Sequence, residues 1–520
     1  MDVANNLILF LGALFIASIL AGLVSSRIGA PLLLVFLGLG MLLGEDGLVG
    51  LRFNDFETTY VVGSIALAII LFDGGFRTPM SSVRVVWAPA AVLATAGVVL
   101  TALVTGLVAA FVFDGGWLQG MLIAATVAST DAAAVFLLLH QRGMELKKRL
   151  SATLEVESGA NDPMAIFLTI FLVQMVIAYG EASSPLALLQ AFASQFVIGA
   201  IMGVAGGFVI AAAVNKLDLE QGLYPVFVVA SAFLIFGVAQ KLGGSGFLAV
   251  YLAGIVSGNQ RIRAGRLIRR FHDGIAWTSQ IIMFVLLGLL VTPSALMDDL
   301  VPGILVALAL CFVARPIAVY LCLIPFRFTR EERLFIAWVG LRGAVPIFLA
   351  MIPVLGGLEN SLRYFHVAFV VVIFSLVLQG WTIPLLARRL NLELPPKLEP
   401  PGKMDLSLLS EQDREVTAYR VSSKSPILGK TREQLQLPSG CRVVAVLRGN
   451  HVLDFEALDH FQVLDVLLVI CPPEQGFVLD RQFTPRPTAG RQGSMSLGDF
   501  AFSGRTPMGV LMDLYGLPVA

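Results

Sequence analysis

Up to about residue 390 the chain is built from long apolar runs separated by short polar turns. A membrane-spanning helix needs about 20 predominantly apolar residues. Reading from turn to turn, such runs fall near 7–25, 30–44, 58–73, 85–112, 117–140, 150–179, 186–214, 222–240, 244–258, 274–292, 300–325, 331–356 and 364–386. Thirteen spans are therefore expected, the second and ninth short and glycine-rich. Beyond residue 390 the pattern shortens to alternating apolar and polar positions, as at Val416–Val421, Cys441–Leu447 and Val466–Ile470. Alternation with a period of two reads as strands, and Ile427–Leu435 between them reads as a turn into a short helix. The expected fold class is an all-α polytopic membrane protein followed by a small α+β C-terminal domain.

Composition agrees with this division. The 520 residues are 57% hydrophobic and 14% charged, against roughly 25% charged in ordinary soluble proteins. Formal net charge is zero, so nothing points to nucleic acid as a partner; membrane lipid is the expected surrounding. The four cysteines form no CxxC and no Cys/His cluster, which argues against a zinc site or a disulfide framework. The N-terminal segment Met1–Asn6 lacks the basic stretch of a cleaved signal, so the first run is expected to be a retained helix.

Loop charge orients the spans. With the N-terminus outside, the cytoplasmic loops carry Arg27; Arg77 and Arg84; Arg142, Lys147, Lys148 and Arg149; Lys216; Arg261, Arg263, Arg266, Arg269 and Arg270; Arg327, Arg330 and Arg333; and Arg388 and Arg389. The outer loops hold Arg52, Lys241 and Arg363. Eighteen against three is a positive-inside bias, and it puts the tail in the cytoplasm. The Arg261–Arg270 cluster reads as such a loop, with contact to anionic lipid the second reading.

Ionisable residues within apolar spans are costly and are candidates for function. The fifth span contains Ser129-Thr130-Asp131. The sixth contains Glu155-Val156-Glu157-Ser158-Gly159-Ala160-Asn161-Asp162-Pro163. The twelfth contains Gly340-Leu341-Arg342-Gly343-Ala344-Val345-Pro346. Ser129-Thr130-Asp131 can cap a half-helix, and Gly340, Gly343 and Pro346 weaken the other run, so both spans are expected to be broken. Unwound backbone at membrane depth belongs where it lines a cavity or is buried in protein, and its freed carbonyls can face ions. The two broken spans lie seven apart. That offset reverses orientation, so spans 1–6 and 8–13 are expected to be inverted repeats with span 7 as linker.

Asp162 is the expected centre of the chemistry. A carboxylate in a partly dehydrated cavity needs a positive companion. A proton or a small cation can supply it, but not both together, and that competition couples two fluxes. Thr130, Asp131, Ser158 and Asp162 offer oxygen ligands to a monovalent cation, although Asp131 also reads as a plain helix cap. Arg342 stays protonated and is expected to neutralise a buried carboxylate, with Glu157 the best candidate. Arg315 reads as a structural or interfacial arginine. His272 and His366 sit near span ends without evident partners.

These segments together resemble the cation:proton antiporter superfamily, specifically the first branch, with the bacterial NhaP-type and animal sodium/proton exchangers. The resemblance covers roughly residues 1–390 and rests on Glu157-Ser158, Asn161-Asp162-Pro163, Gly340–Ala344 and Thr130-Asp131. It implies a dimerisation domain, a core with two crossing broken helices, and a homodimer. It makes Asp162 the ion- and proton-binding group, with Asp131, Ser158 and a Thr130 oxygen completing the site and Glu157 and Arg342 a supporting ion pair. Relatives with Asn at the position of Asn161 are generally electroneutral, so one-for-one exchange is expected.

The tail, 416–475, resembles the TrkA C-terminal (regulator-of-potassium-conductance) domain, for which a small-molecule ligand is expected. The Gly-Asp often found before its last strand is Leu464-Asp465 here. Residues 391–415 and 476–493 read as linkers. Residues 494–520, with Asp499-Phe500-Ala501-Phe502 and Thr506-Pro507-Met508, resemble the opening of a CorC/HlyC-type transporter-associated domain and read as a truncated form of it. This order of domains implies potassium/proton exchange in a bacterial inner membrane, with a periplasmic N-terminus. Sodium/proton exchange at the same site is the alternative. A ligand-gated potassium channel is a further one, but the sequence has no TVGYG-like filter. No nucleophile–base constellation indicates an enzyme, and no cofactor is implied beyond the transported potassium or sodium and the proton.

Overall fold

A computed structural model describes residues 31–393 except 115, 141 and 178–184, together with the helical stretch 12–22. In the tail it describes 403–405, most of 415–472 and the short strands at 494–497 and 500–503, along with isolated positions. Residues 504–520, the greater part of the segment read as a CorC/HlyC-like domain, lie outside the described residues. The chain divides into two units, Met1–Leu394 and Pro395–Ala520.

The first unit is helical. Eight helices are long and apolar enough to cross a bilayer, and shorter apolar helices lie among them. In chain order these are α1 (Gly12–Gly22), α2 (Leu32–Leu43), α3 (Phe56–Arg77), α4 (Met80–Val112), α5 (Trp117–Thr126), α6 (Ala132–His140), α7 (Lys148–Ile177), α8 (Pro185–Lys216), α9 (Leu223–Lys241), α10 (Gly246–Gly258), α11 (Gly265–Leu290), α12 (Pro293–Cys322), α13 (Arg330–Trp338), α14 (Val345–Leu355) and α15 (Ser361–Arg389). Large apolar side chains such as Trp87, Leu107, Phe111, Val209 and Leu234 are exposed on the outside of this unit. Such a surface suits lipid rather than water. Helices that cannot gain hydrophobic energy by leaving lipid associate through close packing of small residues. A Cβ at Gly75 would sit 2.2 Å from the Tyr251 carbonyl oxygen, and one at Gly254 2.3 Å from that of Phe72, so α3 and α10 approach backbone to backbone.

Two helices are interrupted. The fifth apolar run stops at Thr126 and resumes at Ala132, leaving Val127–Asp131 unwound. The twelfth stops at Trp338 and resumes at Val345. Elsewhere α4 and α12 each contain one π-helical turn, at Leu93–Gly97 and Leu310–Ala314. The helix α7 runs through Pro163 without a break.

The tail unit holds a five-stranded sheet in the order β1-β2-β5-β3-β4, all antiparallel. Its strands are β1 (Lys403–Asp405), β2 (Glu415–Arg420), β3 (Arg442–Arg448), β4 (His451–Leu453) and β5 (Val466–Cys471). The three longer strands coincide with the alternating segments of the sequence. The short β1 and β4 carry too few residues to show a period. The segment after Ile427 closes in a 3₁₀ turn at Arg432–Gln434, begun by a Thr431/Gln434 capping box. Strands β6 (Ser494–Leu497) and β7 (Phe500–Ser503) form a separate hairpin.

Candidate ion-binding site

The two unwound segments meet. The Asp131 amide donates to the Leu341 carbonyl at 2.8 Å, and a Cβ added at Gly343 would fall 2.1 Å from Asp131 Oδ2. Only a glycine lets the second break pass this close to the first. Asp131 Oδ1 accepts from the Ala134 amide at 3.0 Å, which caps the N-terminus of α6. The carboxylate is thus fixed by its own half-helix and by the opposing break.

Helix α7 lies against this meeting point with its polar face. Ser158 Oγ donates to the Thr130 carbonyl at 2.8 Å and accepts from the Ala132 amide at 3.0 Å. Asn161 Nδ2 donates to Thr130 Oγ1 at 2.6 Å, while Asn161 Oδ1 is buried without a partner among the described residues. The next residue, Asp162, is 8% exposed. It has no ion pair among the described residues, and Asp131, Arg342 and Ser129 are the groups that bear on its charge. The Ser129 hydroxyl is itself buried and closes no hydrogen bond of ordinary geometry among the described residues. Asp131, Thr130, Ser158, Asn161 and Asp162 are thereby gathered into one constellation of oxygen atoms. Five residues of backbone that could have closed a helix instead present carbonyls and hydroxyls.

Against this geometry stand the comparisons with known proteins. The profile of the transmembrane sodium/hydrogen exchangers matches residues 13–389. This chain belongs to the sodium/hydrogen exchanger family. A TrkA-C domain profile matches residues 416–477. The exchanger is 47% identical over 472 residues to the potassium/proton antiporter NhaP of Alkalimonas amylolytica, covering 91% of this chain and 82% of that protein. It is 43% identical over 514 residues to the potassium/proton antiporter NhaP2 of Shewanella oneidensis, covering 98% and 89%. The sodium proton antiporter MjNhaP1 of Methanocaldococcus jannaschii superposes with a TM-score of 0.64 at 24% identity, over 74% of this chain and 99% of that one. At that identity the likeness speaks to the fold.

The ion pair expected between Glu157 and Arg342 is not the one the exchanger makes. Glu157 Oε1 pairs with Arg315 Nη2 at 2.6 Å, with side chains 1% and 3% exposed. Arg315 follows directly on the π-helical turn of α12 and is a buried partner rather than an interfacial residue. Arg342 instead donates through Nη1 to the carbonyls of Ala128 and Ser129, 2.7 Å away in the case of Ala128. These carbonyls follow the end of α5, where a half-helix carries partial negative charge. The guanidinium thus neutralises the broken end of α5, a task that the fixed charge and several donors of arginine suit.

The second break has supports on α15 that sequence reasoning passed over. Ser375 Oγ accepts from the Arg342 amide at 2.9 Å and donates to Gln379 Oε1. Gln379 Nε2 donates to the Trp338 carbonyl at 2.8 Å, and Trp338 Nε1 donates to Thr382 Oγ1 at 2.9 Å. Ser375, Gln379 and Thr382 are spaced i, i+4, i+7 within an otherwise apolar helix. That spacing puts them on one face and was a signal available in the sequence. His366 is also partnered, against expectation: its Nδ1 lies 2.9 Å from Asp299 Oδ2, and Arg363 Nε lies 3.3 Å from Oδ1. His272 meets the Ile268 carbonyl of its own helix.

Proposed function

We propose that this protein is an electroneutral secondary antiporter that exchanges cytoplasmic potassium for protons, the two competing for Asp162 with alternating access. One observation carries the reading: Asp162 is a buried carboxylate without an ion pair among the described residues, set beside two helix interruptions that meet. A charge in that position costs several kcal/mol unless compensated, and either a proton or a dehydrated cation can compensate it. Asp131, Ser158 and a Thr130 oxygen are the further ligands in this reading. Asn161 brings no second charge next to Asp162, which favours one cation for one proton. Potassium as cargo is supported by the naming of the relatives that match nearly the whole chain.

The five shorter apolar helices (α1, α2, α5, α10 and α14) complete thirteen crossings in this proposal, as two inverted repeats of six with α8 between them. In this reading, which the positive loops support, the N-terminus is periplasmic and the tail cytoplasmic in an inner-membrane protein. A homodimer and a small-molecule ligand of the tail domain belong to the same reading.

The test is cation-induced dequenching of a pH-sensitive dye in everted vesicles, comparing potassium, sodium and lithium with and without an imposed membrane potential. Potassium is expected to dequench independently of the potential. Asp162→Asn is expected to abolish the signal at normal expression; robust exchange in that variant would overturn the assignment.

A further inference from the structure

A second carboxylate lies on the same face of α7 as Asp162. Glu155, Gly159 and Asp162 are spaced i, i+4, i+7, which aligns them along one side of the helix. Glu155 is half-buried and has no cationic partner among the described residues; its one hydrogen bond comes from Thr78 Oγ1, at 3.0 Å. In this respect it differs from Glu157, two residues on, which Arg315 neutralises. The nearest cationic side chain of α3, Arg77, is already engaged by Asp73 at 2.8 Å and by Asp273.

Between the two carboxylates stands Tyr251 of α10. A Cβ at Gly159 would fall 2.2 Å from Tyr251 Cζ and 2.3 Å from Oη, so the phenol lies across the glycine, in the gap between Glu155 and Asp162. Tyr251 is 4% exposed, its hydroxyl closes no hydrogen bond of ordinary geometry among the described residues, and the Thr78 hydroxyl and the Glu155 and Asp162 carboxylates are the groups that act on it. A buried hydroxyl left unpaired costs free energy comparable to a lost hydrogen bond. Here it is aimed into a gap flanked by two carboxylates and by Thr78. Glu155, Tyr251 and Thr78 together provide the carboxylate and hydroxyl oxygens that hard monovalent cations prefer.

We infer that Glu155, Thr78 and Tyr251 form a second monovalent-cation subsite on the approach from the Lys148 end of α7 to Asp162, with the Tyr251 hydroxyl handing the cation from one carboxylate to the other. This rests on the exchange function proposed above and on the orientation that puts Lys148 at the cytoplasmic face. The subsite concentrates cations at one mouth of the path and takes no part in the competition at Asp162. Its loss therefore weakens capture from one side of the membrane only. A general defect of folding or of the exchange step alters both sides.

The experiment measures exchange in everted and in right-side-out vesicles, with potassium and, in parallel, sodium as the probe. Glu155→Gln keeps the shape and the Thr78 contact and removes the charge. It is expected to raise the apparent KM about five-fold for cation added at the cytoplasmic face, the order of effect of one unit charge at a half-buried position, with maximal rate and periplasmic-side KM unchanged. Glu155→Asp is expected to restore part of the loss. Tyr251→Phe, which keeps the ring across Gly159, is expected to shift the same KM in the same direction by a smaller factor. Equal KM changes on both faces, or no change in Glu155→Gln while the unaltered protein is active, would overturn the subsite and leave the exchange function standing. Silence of the unaltered protein with both cations would remove the function and the subsite together.

Discussion

The Asp131 amide and the Leu341 carbonyl, 2.8 Å apart, join the two unwound segments of the membrane unit backbone to backbone. Beside this bond the chain tolerates no side chain on Gly343, whose Cβ would meet Asp131 Oδ2 at 2.1 Å. Gly343→Ala should therefore displace the Asp131 carboxylate, at about 1–3 kcal/mol of overpacking, and reduce exchange far more than expression. At Gly340 a Cβ would meet Arg315 Nε at 3.2 Å, a contact relieved by a shift of a few tenths of an ångström. Gly340→Ala should keep most activity. Dye dequenching on the pair, with thermal melting in detergent, checks the order of the two.

Glu157 and Arg315 are buried together, so removing either alone leaves a bare charge. Such losses cost about 3–5 kcal/mol, whereas replacing both partners with apolar or neutral groups is often close to neutral. Arg315→Met and Glu157→Gln should each lower the melting temperature sharply, and the double variant should recover much of it. The cycle Glu157→Gln with Arg342→Met should show little such recovery, because Arg342 serves the Ala128 and Ser129 carbonyls. Melting temperatures of the five variants decide between the two arginines.

This distinction also marks where sequence reasoning stops. Asp162 and Asn161 were legible because lipid makes any ionisable or amide group in an apolar run conspicuous. The breaks at Val127–Asp131 and Val339–Ala344 were legible from capping residues and glycines. Choosing between Arg315 and Arg342 as the partner of Glu157 was not, since all three lie on different helices or breaks and only the packing decides which guanidinium arrives. The Tyr251–Gly159 contact was hidden for the same reason, because the two residues lie far apart in the chain. The helical membrane character could be read from the pattern of apolar runs, eight of which are helices long enough to cross a bilayer; the stripe of Ser375, Gln379 and Thr382 was readable but is weak beside the hydrophobic signals around it.

In the tail, Leu464 adopts φ +74° just before the last strand, where the resemblance leads one to expect glycine. A left-handed non-glycine residue costs about 1–2 kcal/mol, and this leucine is also 66% exposed, so packing returns little. Leu464→Gly should increase amide-exchange protection across Val466–Cys471 by roughly a factor of five. The neighbouring Asp465 is fully buried beside Arg448, which reaches it at 2.8 and 2.9 Å. Burial alone would raise its pKa, but the Arg448 and Gln462 N–H groups outweigh it and hold the carboxyl below its ordinary value. A carboxyl depressed on folding contributes stability that is present above its unfolded pKa and lost as pH falls through its folded one. Protection of β5 should therefore be insensitive to this group between pH 6 and 8 and decline only in strong acid, with Asp465→Asn removing that acid-dependent part.

Gly159 offers the sharpest test of the contact between α7 and α10. Its missing side chain leaves the space that the Tyr251 ring occupies, with a Cβ contact of 2.2 Å standing in the way of any other residue. Gly159→Ala must move the ring, the helix or both, again at about 1–3 kcal/mol. A moved ring no longer separates Glu155 from Asp162. Exchange should fall several-fold, and Tyr251→Ala added to Gly159→Ala should restore expression and melting temperature by relieving the clash. It should not restore cation capture from the cytoplasmic face, because the hydroxyl is then absent. If the double variant regained the KM of the unaltered protein on that face, Tyr251 would be a filler of space and no more. Melting curves and side-resolved KM values on the two single variants and the double variant separate packing from cation handling.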